Sequence, residues 1–405
     1  MNLSVFFNCP AVSLPRGGFK VSNSTFDEFL ETIFRDYIEA LRKVSDPEYR
    51  AICERIQAAI PDIENIAQRI VAATRHYLQG YPHQAYEEIQ EALREESFGS
   101  LNSELSAFDP TAPPIPYNEF LETTLHPAMY RMRDNLGLAA AGVIKRKDLF
   151  HVPFENRNLV NNSRYSIAGL PCLYLGSSTW ICWEELDRPE LSGCIFSRFR
   201  FAEKTTVLDF QLTPAHAWSM HEYALKNSQS PTPVPRIEEF KARYGDHFVV
   251  SYIAYWPLIA ASSIQIDSRE GFFFPQHIIP QLLLQWVTKE RKVDGIRYFS
   301  TRATIPDYYV SANYVFPSKE IRSSGQCSFL RKKLYLVAPV PWGVLDLIRD
   351  PHATHPLPGS PGNQNGRIQL SESATVPYIY TRFYELEVRL GAMEDQPGGS
   401  GPVEA

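Results

Sequence analysis

The chain has 405 residues, 44% hydrophobic and 21% charged, with a formal net charge of −6. That length exceeds one typical core and suits two or three domains, and the apolar fraction is enough to fold them. The acidic balance without clustered Lys and Arg excludes a nucleic-acid footprint, and no run of about 18 apolar residues offers a membrane span.

The N-terminus carries a short apolar patch, residues 3–7, without the basic leader and long apolar stretch of a secretion signal. Thr25 and Glu28 have the spacing of a capping box. Phe26, Phe29, Leu30, Ile33, Phe34, Tyr37, Ile38 and Leu41 then recur at helical spacing. Asp46-Pro47 breaks that helix, and the apolar positions Ile52, Ile56, Ile60, Ile63, Ile66 and Ile70 predict the next. Gly80-Tyr81-Pro82 marks a turn before an amphipathic segment over 84–95. Residues 1–108 therefore read as a helical N-terminal bundle.

Residues 109–127 begin with Asp-Pro-Thr-Ala-Pro-Pro-Ile-Pro, a proline-rich linker that cannot be helical. Beyond it, β-type runs are predicted over 172–175, 194–201, 205–212, 248–254 and 334–339, with a helix over 279–291. Strands and helices mix without βαβ alternation, so the fold class is α+β, with a second domain over 128–390. Residues 351–366 read as a loop and 391–405 as a disordered tail.

The six cysteines form no CxxC pair, which argues against a zinc or redox site; they read as buried thiols, with the cytoplasm as the expected location. No Walker loop, GxGxxG or HExxH is present, and the histidines form no metal-ligand pattern, so no metal is expected. Arg69 and His76 have a loose nuclease-like spacing, but one such pair is expected by chance on a solvated helix face.

Four pieces of the second domain stand out: Met129-Tyr130-Arg131-Met132-Arg133, then Asn162 to Gly176, then Cys182-Trp183-Glu184-Glu185-Leu186, and finally Asp294-Gly295-Ile296-Arg297-Tyr298-Phe299-Ser300. In this order they resemble the RES-domain family, named for an arginine, a glutamate and a serine, including the helical HEPN/RES-type N-terminal region of its longer members. Tyr130-Arg131 matches the family's first arginine after an aromatic residue. Arg164 matches the second, ahead of the Tyr174-Leu175 strand. Glu185 matches the glutamate, with Glu184 as rival, and Ser300 matches the serine after a DGI strand. Asn313-Tyr314-Val315-Phe316 is among the supporting matches. The spacing from Arg131 to Arg164 is longer than in compact members, which leaves open whether His151 or Arg157 joins the site.

The resemblance implies an ADP-ribosyltransferase-like fold that consumes NAD by cleaving the nicotinamide–ribose bond, as a glycohydrolase or, with phosphate as co-substrate, a phosphorylase. Many members act as toxins held in check by an antitoxin; for this chain a toxin role, a phage-defence effector and a housekeeping activity stay open. The residues suit that chemistry. Arginine forks match the pyrophosphate of NAD, which gives Arg131 and Arg164 a binding role, and the resemblance counts Arg131 with Glu185 and Ser300 as catalytic. A carboxylate stabilises an oxocarbenium-like ribose, the role for Glu185. Tyr174 can stack on nicotinamide, Tyr130 can line the substrate, and Ser300 can hydrogen-bond amide or ribose. NAD enters as substrate; no resident cofactor is expected. Two alternatives stay open: transfer of ADP-ribose to a macromolecule, and an inactive NAD-binding interaction module. Apolar faces in the helical region leave room for a homo-oligomer.

Overall fold

A computed structural model describes residues 1–20, 24–94, 101–105, 107, 128–134, 145–160, 162–228, 237–266, 271–303, 310–347, 367–371 and 374–397. The proline-rich linker 109–127 and the loop 351–366 lie outside the described residues.

The chain opens with α1 (Leu3–Phe7), α2 (Phe26–Arg42), α3 (Arg50–Leu78) and α4 (Pro82–Ala92). Strands β1 (Asn102–Leu105), β2 (Met129–Asp134) and β3 (Cys172–Gly176) lead to α5 (Thr179–Glu185), β4 (Cys194–Phe201) and β5 (Thr205–Phe210). Four helices follow: α6 (Pro214–Ser228), α7 (Ile237–Tyr244), α8 (Asp246–Ser262) and α9 (Ile278–Lys289). Then come β6 (Gly295–Phe299), β7 (Ala312–Pro317), α10 (Ser328–Lys333), β8 (Leu334–Leu336), β9 (Val340–Pro341) and α11 (Val344–Leu347). A hairpin of β10 (Arg367–Ser371) and β11 (Ala374–Pro377), α12 (Arg382–Gly391) and β12 (Gln396–Pro397) complete the order. The fold is α+β, and no helix among the described residues is long and apolar enough to cross a membrane.

Two compact units form, and neither is continuous in sequence. The first comprises Met1–Asn102, Asn161–Ile167 and Leu212–Lys289; the second comprises Ser103–Val160, Ala168–Gln211 and Glu290–Ala405. A linear division at 109–127 therefore misses that residues 212–289 belong with the N-terminal helices.

The first unit is helical. Thr25 caps α2 as its spacing predicts, its N–H donating to Glu28 Oε2 at 3.0 Å. The apolar stripe of α2 is buried at Leu30, Ile33, Phe34, Tyr37 and Leu41. The run 248–254, expected as a strand, lies instead within α8, whose residues from Val249 to Ser262 are all buried. A short, continuous apolar run has no period to tell a core strand from a helix buried all round. Pro257 sits inside α8 and cannot donate to the carbonyl of Ile253 four residues back. Tyr37 supplies the missing donor: its hydroxyl reaches Ile253 O at 2.7 Å, and its ring stacks on Trp256 at 4.0 Å.

The second unit is built on a ten-stranded mixed sheet, ordered β1-β5-β6-β7-β3-β2-β4-β8-β12 with β9 on β4. The β5–β6 pair is parallel, and pairing from β6 to β12 is antiparallel. β3 pairs with β7 along its whole length, and β2 likewise with β4, yet β2 and β3 share a single pair, Tyr130 with Gly176. The sheet thus has a seam between β3 and β2. Order extends past 391, where a disordered tail was expected: Gln396 pairs with Leu336, and Asp395 bridges Arg198 at 2.9 Å and Arg200 at 3.2 Å. Two arginines on β4 fix this end of the chain, Arg198 almost fully buried.

Candidate active site

The seam positions a carboxylate. β3 ends at Gly176, where an added Cβ would meet Ile181 Cγ2 at 2.5 Å and Cys182 Sγ at 2.8 Å, so the strand turns into α5 only through glycine. Ser178 caps α5, its Oγ accepting from Ile181 N at 3.0 Å and donating to Val310 O at 2.6 Å. α5 then ends on Glu185.

Glu185 is gripped on both oxygens. Ser300 Oγ donates to Oε1 at 2.6 Å and Asn313 Nδ2 donates to the same oxygen at 2.7 Å. Arg302 Nε lies 3.3 Å from Oε2, and the same guanidinium bonds Glu184 O at 3.1 Å and pairs with Asp187. Ser300 is fully buried and Asn313 nearly so, whereas a third of the Glu185 side chain stays exposed. A carboxylate with fixed donors behind it and an open front can face a ligand. Ser300 is itself fixed, its N–H donating to Ser311 O and its Oγ accepting from Arg302 N at 3.1 Å.

Geometry separates the tandem glutamates. Glu184 points inward, 7% exposed, and pairs with Arg188 at 2.8 Å; burial pushes its carboxyl pKa up. Glu185 alone meets Ser300 and Asn313.

Arg131 lies one residue past the Tyr130–Gly176 pair, where β2 and β3 stop pairing. Its Nη1 is buried without a hydrogen-bond partner. Burial, and then the charge of Arg133, pull its pKa down to about 9. The Arg131 charge is felt by Tyr174, whose phenol burial holds well above its ordinary range, and by Cys182. Cys182 packs below, its thiol donating to Tyr130 O at 3.2 Å and kept protonated by burial.

Two predicted residues have other work. Tyr130 is 6% exposed in an apolar cluster with Trp180, Ile181 and Phe383, a core position rather than a site wall. Arg164 belongs to the first unit, where its Nη1 donates to Ser262 O at 3.1 Å and its Nη2 to Ile264 O at 2.9 Å. Those carbonyls sit at the C-terminal end of α8, where intrahelical donors run out. His151 and Arg157 are likewise structural. His151 is fully buried, Nδ1 bonded to Val152 O and Nε2 accepting from Cys327 N at 2.8 Å, with burial drawing its pKa down to about 4. Arg157 Nε donates to Gly169 O at 2.8 Å.

Sequence reasoning did not single out Asn313 or Arg302 as site residues. Asn313 was visible only as the start of the Asn-Tyr-Val-Phe strand, and its place opposite Gly176 comes from register. Arg302 follows Ser300 by two residues, a spacing that carries no signal alone. Among the described residues no group of three or more His, Cys, Asp or Glu is placed to hold a metal.

Fold and site define an α+β protein that presents a carboxylate held by Ser300, Asn313 and Arg302 at the end of a strand-to-helix turn, in a sheet whose neighbouring strand carries an arginine with a buried, unpartnered Nη1. The chain is 32% identical over 344 residues to the protein named "Putative toxin YopC" of Bacillus subtilis (strain 168), covering 84% of this chain and 71% of that one. It belongs to the same family as YopC. No family model matches the sequence, and no solved structure matches it.

Proposed function

We propose that this chain is a toxin that consumes NAD by cleaving the bond between nicotinamide and ribose. The observation that carries the reading is Glu185, held by Ser300 and Asn313 on one oxygen and Arg302 on the other, with part of its surface open. The toxin name of the YopC relative supports the biological half of the proposal.

In this reading Glu185 faces the ribose. As the C–N bond breaks, its electron pair passes to the pyridinium ring nitrogen, which leaves as neutral nicotinamide, and positive charge develops on the ribose. A fixed carboxylate stabilises that charge without reorganising. Ser300 and Asn313 hold the carboxylate in place as positioning residues. Arg131, with a buried donor to spare, takes phosphate oxygens, and Tyr174 beside it stacks on a ring. Water then adds to the ribose carbon and loses a proton, giving ADP-ribose; phosphate as acceptor gives the 1-phosphate.

The test is to incubate purified full-length protein with NAD, with and without phosphate, and to resolve products by chromatography. Release of nicotinamide supports the reading, and the second product names the acceptor. Label transferred from NAD to protein points to macromolecular ADP-ribosylation, and no turnover in either buffer contradicts the reading.

A further inference from the structure

We propose that Arg131 and Arg133 together form one anion site of phosphate chemistry, with Arg133 as a ligand-binding residue outside the set that the family resemblance assigns. The proposal rests on the reading above for the dinucleotide as one source of that phosphate, and on geometry alone for the site.

Residues i and i+2 of a strand point to one face about 7 Å apart, a span that two guanidinium forks can close over one phosphate or a pyrophosphate. Both belong to β2. Across β4 their partners are Ser197 and Ile195, neither of them charged. Arg131 Nη1 is buried and unpartnered, and Arg133 Nη2 reaches only the carbonyl of Phe150 at 3.3 Å. Among the described residues neither guanidinium forms an ion pair with a carboxylate.

Among the described residues, the groups within reach of the pair offer it one acidic charge, that of Asp148. His151 is held neutral by burial, its Nε2 accepting from Cys327 N. Cys182 and Tyr174 are kept protonated by burial. Asp148 is the one acid whose charge registers on Arg133, from the 3-10 turn Arg146–Leu149. Burying like charges side by side is unfavourable unless an anion compensates. The strand thus presents two cations spaced to share one anion.

The test uses full-length protein carrying Glu185→Gln, so that nothing turns over, titrated by calorimetry with inorganic phosphate and separately with ADP-ribose. Binding of either ligand, weakened tenfold or more by Arg133→Gln, supports the site. Binding of ADP-ribose that excludes phosphate assigns the site to the dinucleotide's pyrophosphate. Phosphate binding on top of saturating ADP-ribose assigns it to a free phosphate acceptor. Arg133→Lys, which keeps the charge and removes the fork, gives a several-fold loss and serves if the glutamine variant fails to fold. Equal affinity in parent and both variants, or binding of neither ligand, overturns the proposal. Because no arm reads catalysis, a protein that binds phosphate yet leaves NAD intact would contradict the enzymatic reading and not this site.

Discussion

At the scale of single residues, two adjacent glutamates have opposite fates, and the difference is testable. Glu185→Gln removes the charge that faces the ligand while keeping the side chain's shape and one acceptor oxygen. It is expected to lower kcat by about 10²–10³, the size of losing one preorganised electrostatic contact. Glu184→Gln breaks the inward pair with Arg188 and is expected to lower the unfolding midpoint while turnover stays near the parent's. Equal activity loss in both variants would sink the assignment. Ser300→Ala removes a hydrogen bond to a charged group, worth about 1.5–3 kcal/mol, and should lower kcat roughly 10- to 100-fold with a smaller effect on KM. A pure rise in KM would make Ser300 a substrate contact instead. None of this could be decided from the tandem Glu184-Glu185 alone, because which acid faces inward depends on the end of a seven-residue helix.

At the scale of elements, caps and buried carboxyls decide stability. Arg164→Ala removes two donors from carbonyls at the end of α8, which predicts a loss of about 1–3 kcal/mol in unfolding free energy. An unchanged midpoint with a raised KM for NAD would return Arg164 to substrate binding. Glu387, on α12, accepts from Thr179 N at 2.6 Å and from the Tyr378 hydroxyl, and burial pushes its pKa up to about 8 from 4.5. A raised carboxyl pKa stabilises the fold at low pH, and that stability is lost as pH rises from about 4.5 through about 8. Buried His151 and His216, both lowered to about 4, act in the opposite sense, losing stability as pH falls below 6.5. Between pH 6.5 and 8 thermal unfolding should therefore show stability falling by up to about 1.4 kcal/mol per pH unit. Glu387→Gln should flatten that slope; the same slope in the variant would remove Glu387 as its cause. Elements bounded by turns were legible in the sequence: the strand over 194–201 and the helices over 25–95 lie where their patterns put them. The run 248–254 was not, because α8 is apolar on every side.

At the scale of the whole molecule, the chain order and the units disagree for a topological reason. β5 and β6 are parallel neighbours, and parallel strands need a long crossover. Here the connection contains all of residues 212–289, which fold with the N-terminal helices. Such long-range pairing leaves no local trace, so a proline-rich stretch at 109–116 read as the boundary. The site suffers the same limit. Arg131, Glu185 and Ser300 were legible as a set through their resemblance to a family. Asn313 joins Glu185 only through the β3–β7 register, and Arg302 only through the turn after β6. The most direct check of the account is cellular NAD after induced expression of the parent chain and of Glu185→Gln at matched protein levels. The account predicts that NAD collapses and growth stops with the parent and that both are spared with the variant. NAD that stays constant with the parent, or falls equally with both, would contradict it.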